Sequence, residues 1–576
     1  TEIYTLSLHD ALPILIDETL STPLEYEILR LADDLVLDGW SVVMKYVPRT
    51  EKFNASAVVQ VKDIIKQEYN TDKENLKAVL LLGRVAVPYS GQINPDAHPD
   101  HRGAWPADIY YGLMKDLYWK DVTVWDTVAS RRANWNIPGD GKFDLSKLSA
   151  KPDLWVGRID LYDMPAFHDS SFAIPEIELL RKYLDKNHKY RVGENTASAR
   201  GLIDDNFNAR SMLEGFATSG WRNFSVLVGK ENVQSLDWFT TLKTDSYLFA
   251  YGCGGGSYKS AGGIGGTNEF ASQQVNVIFP ILFGSYFGDW DYQDSFLRAP
   301  LCSDPSSLTC FWAGRPPWYM HHFAMGYPLG YSLALSQYNY DHYIPNKYWI
   351  NPQPASSING AQEVHIALMG DPTLLLYPAS VPEPKNLSVI QPAGGAIEIK
   401  WDAPDTDDIV FFNVYRSESR LGPFKKINNT LLSSTSFTDE NLFEGTLYYM
   451  VRTVRLQESN TGSFFNLSRG VIQNDIFTRV DDKHQSENIL SIYPVPAKEN
   501  INVRLELNET SKVSINIFDS FGNHLINLYN TDLAGGSHSF NWNLKTYQNI
   551  EVSSGIFIIK ININAIEFIE KVVVIR

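Results

Sequence analysis

Cys253 stands where the apolar run YLFAYG meets the glycine run GGGS. An apolar strand that ends in a glycine-rich loop is where an α/β enzyme sets a reactive group, so this thiol is a candidate nucleophile. Three other segments carry groups that could serve it. RVAVPYSGQINPDAHPDHRGAWPADIYYG holds Asp96, His98, Asp100, His101 and Asp108; FGSYFGDWDYQDSFLRAPL holds Ser285, Tyr286, Asp289, Asp291 and Arg298; WAGRPPWYMHHFAMG holds Arg315, His321 and His322. A thiol acts with an imidazole base, and His98, His101 or His322 could reach it from another loop, with Asp108 or Asp289 orienting the ring.

Two clusters suit metals. His98, Asp100 and His101 could ligate zinc or another transition metal, although in a proline-rich surface loop the same side chains are more simply solvated or hydrogen-bonded. Asn136, Asp140 and Asp144 in NWNIPGDGKFD place hard oxygens close together, which suits calcium, against the competing reading of a hydrogen-bonded turn. The glycines after Cys253 are followed by no GK[ST], so they read as freedom for a tight loop and not as a phosphate cradle. Cys253 itself competes with a bland role as a small buried apolar residue.

The chain that must position these groups has 576 residues and a formal net charge of -17. That length predicts several domains, and the acidic balance provides no electrostatic footprint for nucleic acid. The three cysteines exclude a disulfide scaffold and a four-thiolate zinc site, while Cys302 and Cys310 are close enough in sequence to pair in an oxidising compartment. No apolar run approaches the roughly 20 residues that span a bilayer. Residues 1–14, TEIYTLSLHDALPI, resemble the in-frame translation of a short-read sequencing adapter and are set aside from fold reasoning. A signal peptide and upstream sequence are expected to be missing for the same reason.

From Leu15 the pattern alternates strand and helix. LIDET reads as a strand; Leu24, Ile28, Leu31 and Leu35 recur at helical spacing; SVVMKYV is a strand, residues 56–68 a helix and KAVLLLG a buried strand. Ile177, Leu180 and Leu184 mark a further helix, and DSYLFAYG and VNVIFPILFG two further strands. These alternations predict a mostly parallel, doubly wound α/β sheet over residues 15–380. Past the proline-rich VPEPKNL, residues 382–477 read as short alternating strands, and Trp401, Tyr415, Tyr448 and Tyr449 give them a resemblance to a fibronectin type III sandwich. Residues 486–576, opening on YPVPA and closing on SGIFIIKI and EKVVVIR, form a second all-β sandwich. They resemble the C-terminal sorting domain of type IX secretion, which implies the secretion machinery as a partner, export across the outer membrane and a secreted or cell-surface location.

The α/β part resembles the gingipain-like cysteine peptidases, with their caspase-like fold, through AVLLLG, ADIYYG, PDLWVGRID, the strands ending at Gly252 and Gly284, and ALMGDPTLLLYP. In that family one strand ends in a Gly-His-Gly loop that supplies the base, and the next ends in the cysteine nucleophile. Here AYGCGGGS puts Cys253 or Gly254 in place of the histidine, and LFGSYFGDWD puts Ser285 or Tyr286 in place of the cysteine. The resemblance therefore implies a fold and a cleft without the family's dyad. The first reading is a non-catalytic binding or assembly protein whose cleft holds a peptide, protein or glycan, with Asp289, Trp290, Asp291, Arg298 and His322 as substrate-binding residues and Trp290, Tyr292, Trp312 and Trp318 as aromatic contact surface. The alternatives are a cysteine peptidase or acyl hydrolase rebuilt around Cys253 with Ser285, His98 and Asp108 as further catalytic candidates, and a metal-dependent hydrolase built on His98, Asp100 and His101.

Overall fold

The computed structural model describes residues 10–168, 176–207, 216–312, 318–338, 363–392, 396–440, 445–478, 489–507, 509–519, 524–564 and 566–575. Ten strands form one large sheet: β1 (Ala11–Asp17), β2 (Ser41–Val47), β3 (Ala78–Leu82), β4 (Trp155–Ile159), β5 (Gly201–Asp205), β6 (Val233–Ser235), β7 (Tyr247–Cys253), β8 (Val277–Phe283), β9 (Thr309–Trp312) and β10 (Leu368–Gly370). Their order is β2-β1-β3-β4-β10-β9-β8-β7-β5-β6. Neighbours pair in parallel except β9 and β10, which run antiparallel. Strands β1, β3, β4 and β8 are buried along their whole length, as expected where helices cover both faces of a parallel sheet. The α/β expectation holds.

The covering helices carry the predicted stripes. Helix α1 (Glu25–Asp38) buries Ile28, Leu31 and Leu35 and ends at Gly39, whose φ of 110° accommodates the left-handed cap. Helix α2 (Ala55–Thr71) starts at Asn54, whose side chain accepts from the N–H of Ala57. Helix α3 (Glu176–Arg191) buries Leu180, Tyr183 and Leu184. One expectation needs revision: Ala11–Ile14, set aside with the adapter-like residues, complete the buried strand that Leu15 continues, with Leu12 opposite Val42 and Ile14 opposite Met44 and Leu80. Apolar residues at these positions satisfy the strand whatever their origin. Residues 1–9 lie outside the described residues.

Residues 385–478 form a β-sandwich, one sheet of Lys385–Ile390, Ile397–Asp402 and Ser436–Asp439, the other centred on Phe411–Ser417 and Gly445–Ser459. Its own core holds Ile397, Ile399, Trp401, Phe412, Val414, Tyr449 and Val451. The sandwich is built onto the α/β region as one compact unit. Tyr415, Phe424 and Met450 belong to the large core; Val42 donates its N–H to the carbonyl of Leu421 at 2.9 Å, and buried Arg452 donates to the carbonyl of Asp38 at 2.9 Å. Arg469 meets Asp34 at 2.6 Å, and Asp34 is also held by His188 at 2.7 Å.

Residues 480–576 are a second compact unit. Its antiparallel sheets, of three and four strands, enclose Val503, Leu505, Ile515, Ile517, Trp542, Ile559 and Ile561. Strict in-out alternation along Ile501–Leu507 and Gly555–Ile563 accounts for this core.

Candidate functional site

Strands β7 and β8 run in register, Phe283 opposite Cys253, so the loops that follow them leave side by side. After β7 the chain makes a ribbon of three short strands, Gly256–Ser257, Ser260–Ala261 and Gly265–Gly266. Only glycine fits where this ribbon crosses β8: a Cβ at Gly256 would fall 2.3 Å from both the backbone N and O of Ser285. Beside the ribbon lies a cleft of about 750 Å³, edged by Asp237, Lys259, Glu269 and Asp294.

Cys253 does not open onto this surface. Its side chain is fully buried, and the thiol donates to Asp205 Oδ1 at 3.3 Å. Burial and the Asp205 carboxylate both push its pKa far up, so the thiol stays protonated at neutral pH. A nucleophilic thiol needs a cationic neighbour; this one faces an anion. Cys302 and Cys310, close enough in sequence to pair, are likewise buried free thiols.

The segment after β3 brings up the histidines. An antiparallel pair, Tyr89–Ile93 with Gly103–Pro106, projects residues 94–102 toward the start of the β8 loop. There His98 Nε2 lies 2.7 Å from Ser285 Oγ, with both side chains partly exposed. The histidine ring stacks on Tyr286, centroids 5.0 Å apart. The residue before His98 and the residue after Ser285 are both non-glycines in the left-handed region, Ala97 at φ 63° and Tyr286 at φ 70°. Such a backbone costs about 1–2 kcal/mol per residue and persists only where surrounding bonds fix it. Here the Tyr286 N–H donates to Asp96 Oδ2 at 2.9 Å, and the Ala97 N–H donates to the Asn94 carbonyl at 2.8 Å.

His101 ties the two loops together from below. Its Nδ1 lies 2.6 Å from Asp96 and its Nε2 3.0 Å from Asp289, and its ring packs on Trp105 and Tyr286. Burial opposes the charged ring, but the two carboxylates outweigh it and raise the pKa to about 9, so His101 is an imidazolium at neutral pH. The Asp96 carboxyl is lowered in turn, burial being outweighed by its bond to His101. Asp289 also accepts from Asn134 Nδ2 at 2.7 Å and meets Arg131 at 3.1 Å. Arg131 in addition grips Asp291 through two 3.0 Å bonds, and Tyr89 donates to the same carboxylate. Desolvation opposes it, but that pairing lowers the Asp291 pKa to about 2.

The remaining predicted residues go elsewhere. Asp108 makes a two-point contact with Arg158, 2.8 Å on each oxygen, and orients no histidine. Arg298 is fully buried and donates to the carbonyls of Tyr162 and Tyr292, so it is an internal brace. Trp290, Trp312 and Trp318 are buried and fill the core, Trp290 beneath the Arg158 guanidinium. The partly exposed aromatic surface comes instead from Tyr258, which stacks on Tyr292 with centroids 4.2 Å apart and meets Tyr286 at a tilt with centroids 5.1 Å apart. His322 stands apart, packed edge-on or tilted against His321, Tyr327 and Tyr331, its pKa lowered to about 4 by burial and by His321. Arg315 lies outside the described residues.

Neither metal cluster is assembled as a ligand set. The Asn136 amide donates to the carbonyls of Gly91 and Phe143; Asp140 accepts from the N–H groups of Ile137 and Lys142, and Asp144 from those of Val122, Thr123 and Val124. Asp100 contacts the Tyr286 and Ser130 hydroxyls at 3.4 Å. Among the described residues no group of three or more His, Cys, Asp or Glu is disposed to hold a metal ion. Arg131, Asn134, Asp205 and Tyr258 were not singled out in the sequence; SRRANW and LIDDNF carry no spacing signal that links them to the distant loops they serve.

Residues 491–575 match the family model described as the secretion system C-terminal sorting domain. No curated protein matches the chain. Among solved structures, the Arg-specific cysteine proteinase gingipain R is 13% identical, with 81% of this chain and 99% of that one covered and a TM-score of 0.47. The complex of the RgpB pro- and mature domains from Porphyromonas gingivalis is 14% identical, covering 80% and 99%, with a TM-score of 0.45. Dimeric latent PorU from the same organism is 11% identical, covering 98% of this chain and 64% of that one, with a TM-score of 0.28. Among the described residues no helix is long and apolar enough to cross a membrane. With a secretion-system sorting domain over residues 491–575, the chain is one destined for export, secreted or held at the cell surface.

Proposed function

We propose that the chain is an exported gingipain-like protein that makes no use of thiol chemistry and binds a peptide or glycan across the tyrosine-faced surface where β7 and β8 end. One observation carries this reading: Cys253 is sealed in the core against Asp205, while Ser285, His98 and three partly exposed tyrosines line the open side. Stacked tyrosines suit a peptide or sugar, because they offer broad apolar faces at small entropic cost. The sandwich of residues 385–478 is a spacer of fibronectin type III kind, and the last unit engages the type IX machinery.

Two measurements test it. Iodoacetamide at neutral pH is expected to leave Cys253 unmodified in the native protein and to modify it after unfolding. Rapid, selective alkylation of native Cys253 would overturn the reading. Tyr258→Ala is expected to weaken binding of a selected peptide or glycan by about 1 kcal/mol or more, roughly fivefold, in titration calorimetry.

A further inference from the structure

The geometry points to a serine-type acyl-transfer centre in which Ser285 is the nucleophile and His98 the general base, acting on carboxylic esters. This deepens the reading of the same surface given above and rests on it. Ser285 follows the last residues of β8 at the open side of the sheet, the residue is partly exposed, and His98 Nε2 is 2.7 Å from its Oγ. With the ring proton on Nδ1, the hydroxyl donates to Nε2, which is the arrangement a base-activated alcohol requires.

The pair is held and not merely adjacent. His98 and Ser285 come from segments far apart in the chain, and each is flanked by a non-glycine in the left-handed region. Asp96 binds both sides: its Oδ2 takes the N–H of Tyr286, while the His98 N–H is directed at its Oδ1 at 3.4 Å. Asp96 is anchored in turn by the His101 imidazolium, which Asp289 holds from the other loop. A chance contact between two surface side chains would not need such support. The crossing glycine at 256 lets the ribbon pack against the Ser285 backbone, and Tyr286 stacks on the base.

The reaction balances with water alone. Ser285 Oγ adds to the ester carbonyl carbon as its proton passes to His98 Nε2. The adduct collapses with cleavage of the ester C–O bond, and the alcohol departs with that proton. Water then adds to the acyl-serine, gives its proton to the same nitrogen, and releases the carboxylic acid as Ser285 is restored. Among the described residues no carboxylate accepts from His98 Nδ1, so the developing imidazolium lacks the partner that a full triad supplies. Esters, whose leaving alcohols need less help than amines, are therefore the favoured substrates over amides.

The test is hydrolysis of p-nitrophenyl acetate and butyrate by the full chain, compared with Ser285→Ala, His98→Gln and Cys253→Ala, each confirmed folded by circular dichroism. Removal of the serine or the base is expected to lower kcat about a hundredfold or more, with KM little changed, while Cys253→Ala keeps the parent rate. Parent-like turnover in Ser285→Ala, or none in the folded parent, would overturn this inference and leave the binding reading standing. Loss confined to Cys253→Ala would overturn both.

Discussion

At the scale of single residues, the site is decided by which side chains meet anions and which meet solvent. Cys253 fails as a nucleophile because Asp205 is its neighbour, whereas His101 is locked as a cation because Asp96 and Asp289 are its neighbours. The second fact predicts a pH dependence. His101 has a folded pKa raised from 6.5 to about 9, so its contribution is fully present below the unfolded value and is lost as the pH rises through 9. The shift corresponds to roughly 3 kcal/mol. The thermal midpoint is therefore expected to fall between pH 7 and pH 9.5, and the His101→Gln protein to be less stable at pH 7 with this part of the slope removed. An unchanged slope in the variant would show that His101 is neutral. The loops carrying these residues were legible, because histidines and carboxylates interleaved with glycine and proline mark a site. The partnerships were not: His98 and His101 differ by three positions and do unrelated work, and only the tertiary fold puts one on a hydroxyl and the other between two acids.

At the scale of elements, the strands and helices followed from periodicity. The apolar run VIFPILF becomes the buried β8, and the i, i+3, i+4 stripe of EYEILRLADDLVLD becomes the inner face of α1. What periodicity does not reveal is how elements cross. The ribbon after β7 presses on Ser285 at a point where no side chain fits, so Gly256→Ala should displace the ribbon or the serine by a substantial fraction of an ångström. The expected result is a loss of ester hydrolysis of roughly a hundredfold with the fold retained by circular dichroism. The attachment of the sandwich is likewise a matter of crossing. Arg452 is buried and serves the carbonyls of Asp38 and Ser468, so Arg452→Ala strands buried acceptors. It is expected to lower the unfolding free energy by about 1–3 kcal/mol in urea titration. A neutral result would mean that the Arg452 bonds add nothing to the attachment of the sandwich.

At the scale of the whole molecule, two compact units divide the labour, residues 1–479 carrying the site and residues 480–576 the sorting domain. The first boundary expected from the sequence, near residue 380, marks a change from α/β to all-β architecture but not a break in packing, since Tyr415, Phe424 and Met450 share the α/β core. Composition and punctuation show where a pattern changes; they carry no information on whether the two parts bury surface against each other. Truncation after residue 479 is expected to abolish export while leaving a folded protein with the parent's ester turnover, checked by cell fractionation and p-nitrophenyl acetate assay. The measurement that bears most directly on the central claim is mass mapping of the native chain after exposure to a fluorophosphonate. The expected result is a single adduct on Ser285 that is lost in the folded His98→Gln protein, with Cys253 unmodified. No adduct on Ser285 in folded protein, or one that forms equally well without His98, would contradict it.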